Sequence, residues 1–197
     1  MINAKPQPEE EVQDPYAGLS AGDIIDRGVL DSHSFVLTGL IDSETVASAI
    51  KWIIFENNKP DTNTLTLFIN STGGYLDDAF GLIDMMQHSK HAIRTVGIGQ
   101  VMSAAFLIFT SGTRGMRYIS KNANIMSHQY SDSVDGKHHD IKAYMKVAEN
   151  TNVRMIELLK SCTGLDTATI KRKLLPPTDV WLTPTELIGL NVADHLL

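Results

Sequence analysis

Short apolar runs and helically spaced apolar positions alternate along most of the chain, and each change of pattern marks a predicted element. Runs such as TLTLFIN are typical of buried strands. The predicted strands are 33–39, 64–70, 93–99, 116–120, 122–128 and 179–182. Helices are predicted over 42–58, 75–89, 103–112 and 138–160, and another starts at TPTE, 183–186. Strands that alternate with helices favour a mostly parallel α/β fold.

The predicted helices carry local signals for their faces and their starts. Asp42 is a plausible N-cap, and TPTE places Thr183 at the cap, Pro184 at the first helical position and Glu186 at the third. The residues predicted to share a buried face are Val46, Ala49, Ile50, Ile53 and Ile54 in one helix, and Leu76, Ala79, Phe80 and Ile83 in the next.

Composition narrows the class of protein. The 197 residues predict one domain, and a net charge of -6 argues against nucleic acid or an acidic membrane as the main partner. The acidic, Pro-containing segment 1–16 is predicted to be a flexible tail before a domain over 17–197. The start lacks the pattern of a signal peptide, and no apolar run reaches the roughly 18 residues of a membrane span. We therefore expect a soluble, cytoplasmic protein, with the lone cysteine, Cys162, serving in packing.

Three charged or metal-capable groups have simple structural explanations. His138 and His139 are neighbours on a predicted helix, where side chains point about 100° apart, so we expect solvent exposure rather than a metal site. Asp77 and Asp78 near a helix start complement the helix dipole. The basic run IKRK, 170–173, is predicted to be a solvated face.

Two segments, FINSTGG and GIGQVMS, join the end of a predicted strand to a glycine-containing turn, where open α/β sheets form their sites. Ser103 opens the following helix, so its hydroxyl would lie beside unpaired N–H groups that can hold an oxyanion. The Gly73-Gly74 turn can bring another N–H close, because glycine permits close backbone approach. Serine is also a favoured N-cap, however, and capping alone explains most serines in such a position.

A serine nucleophile needs a general base and a group that orients the base. His128 ends a predicted strand, and Asp179 opens another. A single His at a strand end is more often structural, and an Asp after Pro-Pro is usually a turn residue. Composition and spacing alone therefore do not join Ser103, His128 and Asp179.

Four segments, taken in order, resemble the proteolytic subunit of Clp protease, the ClpP family. FVLTGLID looks like the first core strand, and LFINSTGG resembles the glycine turn usually written YINSPGG. GIGQVMSAAFLIFTSGTRGMRYISKNANIMSHQ resembles the central block, with the nucleophile in a GQxxS context and the base in an xHQ context. DVWLTPTELIGLNVAD resembles the C-terminal block that opens with the triad Asp. The resemblance covers about residues 20–197.

Carried over residue by residue, the resemblance implies a Ser-His-Asp serine endopeptidase of the ATP-dependent type that cleaves unfolded polypeptides and peptides. The implied site residues are Ser103 as nucleophile, His128 as general base, Asp179 as the group that orients it, and Gly74 and Ala104 as backbone donors of the oxyanion hole.

The resemblance also implies a fold and partners. The family fold is a ClpP/crotonase-like spiral of ββα units with a protruding handle helix, here the region of about 130–160. Members form homo-oligomers of heptameric rings, stacked in pairs as a tetradecamer around an enclosed chamber. A Clp-type AAA+ unfoldase docks on the ring and uses ATP, whereas the subunit itself needs no cofactor or metal.

The sequence departs from the family motifs around the implied site. Thr72 and Tyr130 stand where Pro is usual, Ala104-Ala105 replaces Met-Gly, and the loop 131–140 lacks a Gly-rich character. An inactive ClpP-like subunit that regulates an active paralogue is therefore a second interpretation. A third, a crotonase-like acyl-CoA enzyme, shares the spiral and an oxyanion hole but predicts no Ser-His-Asp set.

Overall fold

The computed structural model describes residues 17–60 and 64–197. The chain divides into two compact units, the first ending at Ser32 and the second spanning His33–Leu197. The tail predicted over 1–16 lies outside the described residues.

The first unit contains helix α1 (Ala21–Asp31), which the sequence analysis did not predict. The helix starts with a capping box. The Ser20 hydroxyl accepts a hydrogen bond from the Asp23 N–H, and the Asp23 carboxylate accepts one from the Ser20 N–H. Gly22 and Gly28 lower the helix propensity of the segment, and this weakened the helical pattern.

The second unit is built on a largely parallel sheet. Its strands are β1 (Ser34–Ile41), β2 (Leu65–Gly74), β3 (Ile93–Met102), β4 (Arg117–Ile119), β5 (Asn124–Ser127), β6 (Val180–Leu182) and β7 (His195–Leu196). The order is β1-β2-β3-β4-β7, with β5 pairing both β3 and β6. The β5–β6 pair is antiparallel, and the other pairs among the described strands are parallel. The prediction of a mostly parallel α/β fold is confirmed.

Helices connect and cover these strands. They are α2 (Ser43–Asn57), α3 (Leu76–Gln87), α4 (Ala104–Thr110), α5 (His138–Thr163), α6 (Thr167–Lys173) and α7 (Pro184–Gly189). The caps predicted at Asp42 and Thr183 are both formed. Helix α5, predicted to end at residue 160, continues to Thr163 and stops at Gly164, which adopts the left-handed conformation with a φ of 75°. In the described chain, no helix combines the length and the apolar character that crossing a membrane requires.

The first three strands run past Gly39, Asn70 and Gly99, the residues at which the sequence analysis ended them. The segment STGG, predicted to be a turn, is the end of β2, where Gly74 pairs with Ile41 of β1. The register shifts between Thr38 and Leu40, so the β1–β2 pair bends without ending. A sequence pattern of turn residues cannot distinguish such a bulge from a chain reversal.

The buried face of α2 also differs from the prediction. Ile54 is 47% exposed, whereas Trp52 and Glu56 are buried. The Glu56 carboxylate lies 2.8 Å from Lys59 Nζ and 2.7 Å from His33 Nδ1. Burial alone raises the pKa of Glu56, but these partners lower it below its usual value, so the buried group is an ionised, paired carboxylate.

A buried ion pair fixes the C-terminal strand. The Arg117 side chain is 1% exposed and donates from Nε and Nη2 to the Asp194 carboxylate, at 2.8 and 2.7 Å. Its Nη1 donates to the carbonyls of Thr110 and Cys162, at the ends of α4 and α5. Arg117 thus ties three elements together beside the half-buried Cys162.

Candidate active site

Ser103 lies at the junction between β3 and the fully buried helix α4. Its φ of 54° and ψ of -123° are strained for a residue with a side chain, and such strain concentrates at functional sites. The residue occupies the N-cap position, but its side chain makes no capping hydrogen bond. Its Oγ lies 2.7 Å from Nε2 of His128 instead. Simple helix capping therefore does not describe this hydroxyl.

His128 follows β5 directly, and the pairing of β5 with β3 brings it to Ser103. Met102 and Met126 are register partners, and the Ser103 N–H donates to the Met126 carbonyl at 2.9 Å. The imidazole is half-buried. A Ser hydroxyl that donates to an unprotonated Nε2 has the geometry required for proton transfer to a general base.

Asp179 is not bonded to this pair within the described chain. In the antiparallel β5–β6 register Ser127 faces Val180, so the next position sets Asp179 alongside His128. The Asp179 side chain is exposed, and within the described chain it makes no hydrogen bond or ion pair. The structure thus joins two of the three predicted triad residues and places the third nearby.

The end of β2 passes close to Ser103. A Cβ built on Gly73 would lie 2.7 Å from Ser103 Cβ and 3.0 Å from the Ala104 nitrogen, and the Gly73 φ of 99° also favours glycine. Gly74 and Ala104 line the same cleft as Ser103. The N–H of Ala104 opens α4 and has no partner within a helix at that position. Gly74, Ala104 and Ser103 therefore border one space.

That space is a cleft of about 810 Å³ with Ser103 and His128 in its wall. Leu107 and Met155 give it apolar surface, and the segment after His128 gives it polar surface. Asp77 at its rim pairs with Arg154 of α5 at 3.2 Å, an exposed pair. The cleft is large enough for several residues of a peptide.

Helix α5 holds the segment that follows His128. The Tyr130 N–H donates to Oδ1 of Asn152 at 3.1 Å. The Tyr130 hydroxyl lies 2.9 Å from the Tyr144 hydroxyl, and both hydroxyls donate to the Asp132 carboxylate. Burial and the hydrogen bond to Asp132 raise the pKa of Tyr130, so the phenol stays protonated. The sequence analysis missed these contacts between Tyr130 and α5. The available signal was Tyr130 itself, which stands where the family usually has Pro.

His138, His139 and the basic residues of the run IKRK lie on the surface. His138 and His139 are exposed, with ring centroids 5.6 Å apart. No cluster of three or more metal-binding side chains occurs in residues 17–60 and 64–197. In the basic run, Lys171, Arg172 and Lys173 are exposed, while Ile170 is buried.

Comparison with known proteins bears on the whole of this architecture. The sequence profile of the Clp protease family matches residues 17–197. The chain is also similar to the ATP-dependent Clp protease proteolytic subunit 2 of Nocardia farcinica (strain IFM 10152). The two are 28% identical over 181 residues, which cover 92% of this chain and 88% of the relative. The match extends from the residues before α1 to the last strand, and the chain belongs to the Clp protease family.

Proposed function

We propose that this chain is a serine endopeptidase subunit that cleaves unfolded polypeptides and peptides with Ser103, His128 and Asp179. The observation that carries the proposal is the 2.7 Å contact between Ser103 Oγ and His128 Nε2, at a strained strand–helix junction inside a peptide-sized cleft. A peptidase is also what membership of the family implies.

The proposed reaction is acyl transfer in two steps. His128 takes the proton of Ser103 as Oγ attacks the peptide carbonyl, and the N–H groups of Gly74 and Ala104 stabilise the oxyanion. The imidazolium then protonates the leaving amine as the C–N bond breaks, which leaves an acyl-enzyme. Water, deprotonated by His128, attacks this ester and restores the Ser103 hydroxyl. No cofactor or metal takes part in this scheme.

We assign to Asp179 the role of orienting His128 and stabilising its imidazolium. Ser127 pairs with Val180, so His128 and Asp179 occupy the next pair of opposite positions beyond the β5–β6 ladder. Their contact therefore requires a local side-chain and loop adjustment rather than new strand pairing. Contact with another subunit is a natural cause for that adjustment, because Asp179 is exposed in the single chain.

We propose that the chain works as a homo-oligomer of stacked heptameric rings around a chamber, fed by a Clp-type AAA+ unfoldase that uses ATP. Exposed apolar side chains support an assembly, because a monomer rarely exposes many of them together. They are Val36 and Leu40 on β1, Ile54 and Phe55 on α2, and Met145, Val147 and Val153 on α5. The name of the Nocardia relative includes ATP dependence.

A fluorophosphonate probe tests the assignment of Ser103. We expect labelling of the purified protein at Ser103, located by mass spectrometry, because the probe requires an activated serine hydroxyl. Ser103→Ala should abolish labelling, and Asp179→Ala should slow it by about 100-fold or more. Ser111→Ala, at the opposite end of α4, is the matched control and should label at the wild-type rate. A folded, oligomeric protein that takes no label would contradict the proposal.

A second candidate function is an inactive subunit that regulates an active paralogue. The observation that favours it is the missing contact between Asp179 and His128 within the described residues. The alternative predicts no label at Ser103 even when the active paralogue is mixed in, together with a changed activity of that paralogue. The crotonase-like interpretation receives no such support, because the Ser103–His128 contact is not part of its chemistry.

Gly73→Ala should impair the site without unfolding the protein. The added Cβ would crowd Ser103 at 2.7 Å, and a displacement near 1 Å can lower kcat by about 100-fold. The matched control is Gly81→Ala on α3, where a Cβ meets nothing within 4 Å and helix propensity rises. The measurement is kcat for a fluorogenic peptide, together with the thermal midpoint. Wild-type kcat in Gly73→Ala would show that the close approach has no catalytic consequence.

A further inference from the structure

Within the described chain, the His128 imidazole has one hydrogen-bonding partner, the Ser103 hydroxyl that it is meant to deprotonate. Asp179 does not hold it. Its position therefore depends on the backbone on either side. On the N-terminal side that backbone is fixed by the pairing of β5 with β3 and β6. On the C-terminal side it is fixed by hydrogen bonds of the next two residues.

The backbone after His128 has two attachments. The Gln129 side-chain amide donates to the Leu175 carbonyl at 2.9 Å, and α5 holds the next residue, Tyr130. Its N–H donates to Asn152 at 3.1 Å, and its hydroxyl joins the Tyr144 and Asp132 cluster. A proline at position 130 would supply neither the N–H nor the hydroxyl, so both connections come from this tyrosine. Asn152 and Tyr144 lie two turns apart on α5, and both are half-buried.

The contacts of Tyr130 with Asn152 and Tyr144, here called the Tyr130 bridge, lie between the end of β5 and an exposed segment. Residues 131–137 after Tyr130 form no helix or strand, and they are exposed. Without the bridge, the Gln129–Leu175 contact would be the one attachment between His128 and this segment within the described chain. A general base must stay within hydrogen-bond reach of its proton, and small displacements are costly in rate.

We propose that Asn152 and Tyr144 are positioning residues, through which helix α5 holds the general base His128 against Ser103. This inference rests on the proposed function. It predicts that the two side chains affect the chemical step, because they fix the base, rather than substrate binding. It also makes α5 a structural input to the active site.

The test compares variants of the full chain. Asn152→Ala removes the acceptor for the Tyr130 N–H and leaves α5 helical, since alanine is the best helix former. Asn152→Asp keeps an oxygen acceptor and is the rescue variant. Tyr144→Phe removes a hydroxyl and keeps the ring. Tyr118→Phe is the matched control, because the Tyr118 ring packs on His195 and its hydroxyl has no hydrogen bond to any described residue.

Fluorophosphonate labelling and peptide cleavage give the kinetic readout. We expect Asn152→Ala to lower the labelling rate and kcat about tenfold, with KM within about twofold of the wild type. Tyr144→Phe should show a smaller loss in the same direction, and Asn152→Asp and Tyr118→Phe should stay near the wild type. Unchanged rates in Asn152→Ala and Tyr144→Phe would overturn the inference, as would a loss that appears in KM alone.

Crystal structures of the wild type and of Asn152→Ala give a readout that needs no activity. We expect the Ser103 Oγ–His128 Nε2 distance to lengthen beyond hydrogen-bond range in the variant. A contact that stays at its wild-type length would overturn the inference even if the rates fall. A wild type that takes no label would instead contradict the proposed function, while this distance would still decide the role of the bridge.

Discussion

Substituting His128 by alanine is expected to lower kcat for peptide hydrolysis by on the order of 10⁴- to 10⁶-fold. The reason is that Ser103 has one visible acceptor for its proton, Nε2 of His128 at 2.7 Å. Without it the hydroxyl remains a weak nucleophile, and the leaving amine has no proton donor. What remains would come from substrate binding and the proposed backbone donors at Gly74 and Ala104. Steady-state cleavage of a fluorogenic peptide, at protein concentrations fixed by absorbance, measures the loss.

The matched control for this prediction is His139→Ala, which removes an exposed histidine at the start of α5. Its kcat should stay within about twofold of the wild type, as is usual for surface substitutions. If His128→Ala retained a tenth of the wild-type kcat, another group would have to be the general base, and the triad assignment would be wrong.

Asp194→Ala is expected to destabilise the fold by about 3–5 kcal/mol, the largest stability effect that we predict. The substitution leaves the Arg117 guanidinium, 1% exposed, without its carboxylate. It also removes the acceptor for the N–H groups of Gly115 and Arg117. Urea unfolding followed by circular dichroism measures the change, at a fixed protein concentration because assembly adds to apparent stability.

The same ion pair predicts a pH dependence. Burial alone raises the pKa of Asp194, but the hydrogen bonds from Arg117 lower it below its usual value. A lowered folded-state pKa means that the pair stabilises the fold above the unfolded pKa, roughly pH 4, and that this contribution is lost as the pH falls through the folded value. The stability difference between wild type and Asp194→Asn should therefore shrink between about pH 6 and about pH 3.

Two further variants make the stability prediction specific. Asp84→Ala, on the exposed side of α3, should change stability by less than about 0.5 kcal/mol. The double variant Arg117→Met with Asp194→Ala should recover part of the loss, because no unpaired buried charge remains. A single Asp194→Ala variant as stable as Asp84→Ala would contradict the proposed role of the pair.

Local signals in the sequence predicted the features that depend on neighbouring residues. The caps at Asp42 and Thr183 involve side chains within three positions of each other, so their patterns are legible without the fold. The alternation of strands and helices predicted the parallel sheet for the same reason. Helix α1 was not predicted, because Gly22 and Gly28 lower the helix propensity of a segment that nevertheless starts with a regular capping box.

Features that depend on distant pairing could not be predicted from the residues alone. Ser103 and His128 are 25 positions apart and meet because β5 pairs with β3. Arg117 and Asp194 are 77 positions apart, and neither carries a local signal for its partner. The family resemblance supplied the first of these contacts in advance, but not the second. Nor did it supply the bridge from Tyr130 to α5, which arises where this chain departs from the usual motif.

The complete burial of α4 gives the two sides of the site, α4 after Ser103 and the segment 131–137 after His128, different local stabilities. Every residue from Ala104 to Thr110 is buried, so we expect the amides that are hydrogen-bonded within α4 to exchange hydrogen with solvent only when the whole domain opens. The exposed residues 131–137 can open on their own. The proposed nucleophile Ser103 is therefore joined to a segment that opens only with the native fold, whereas the segment that follows His128 and Tyr130 can open locally. Substitutions in the exposed segment 131–137 should therefore cost less stability than substitutions in α4.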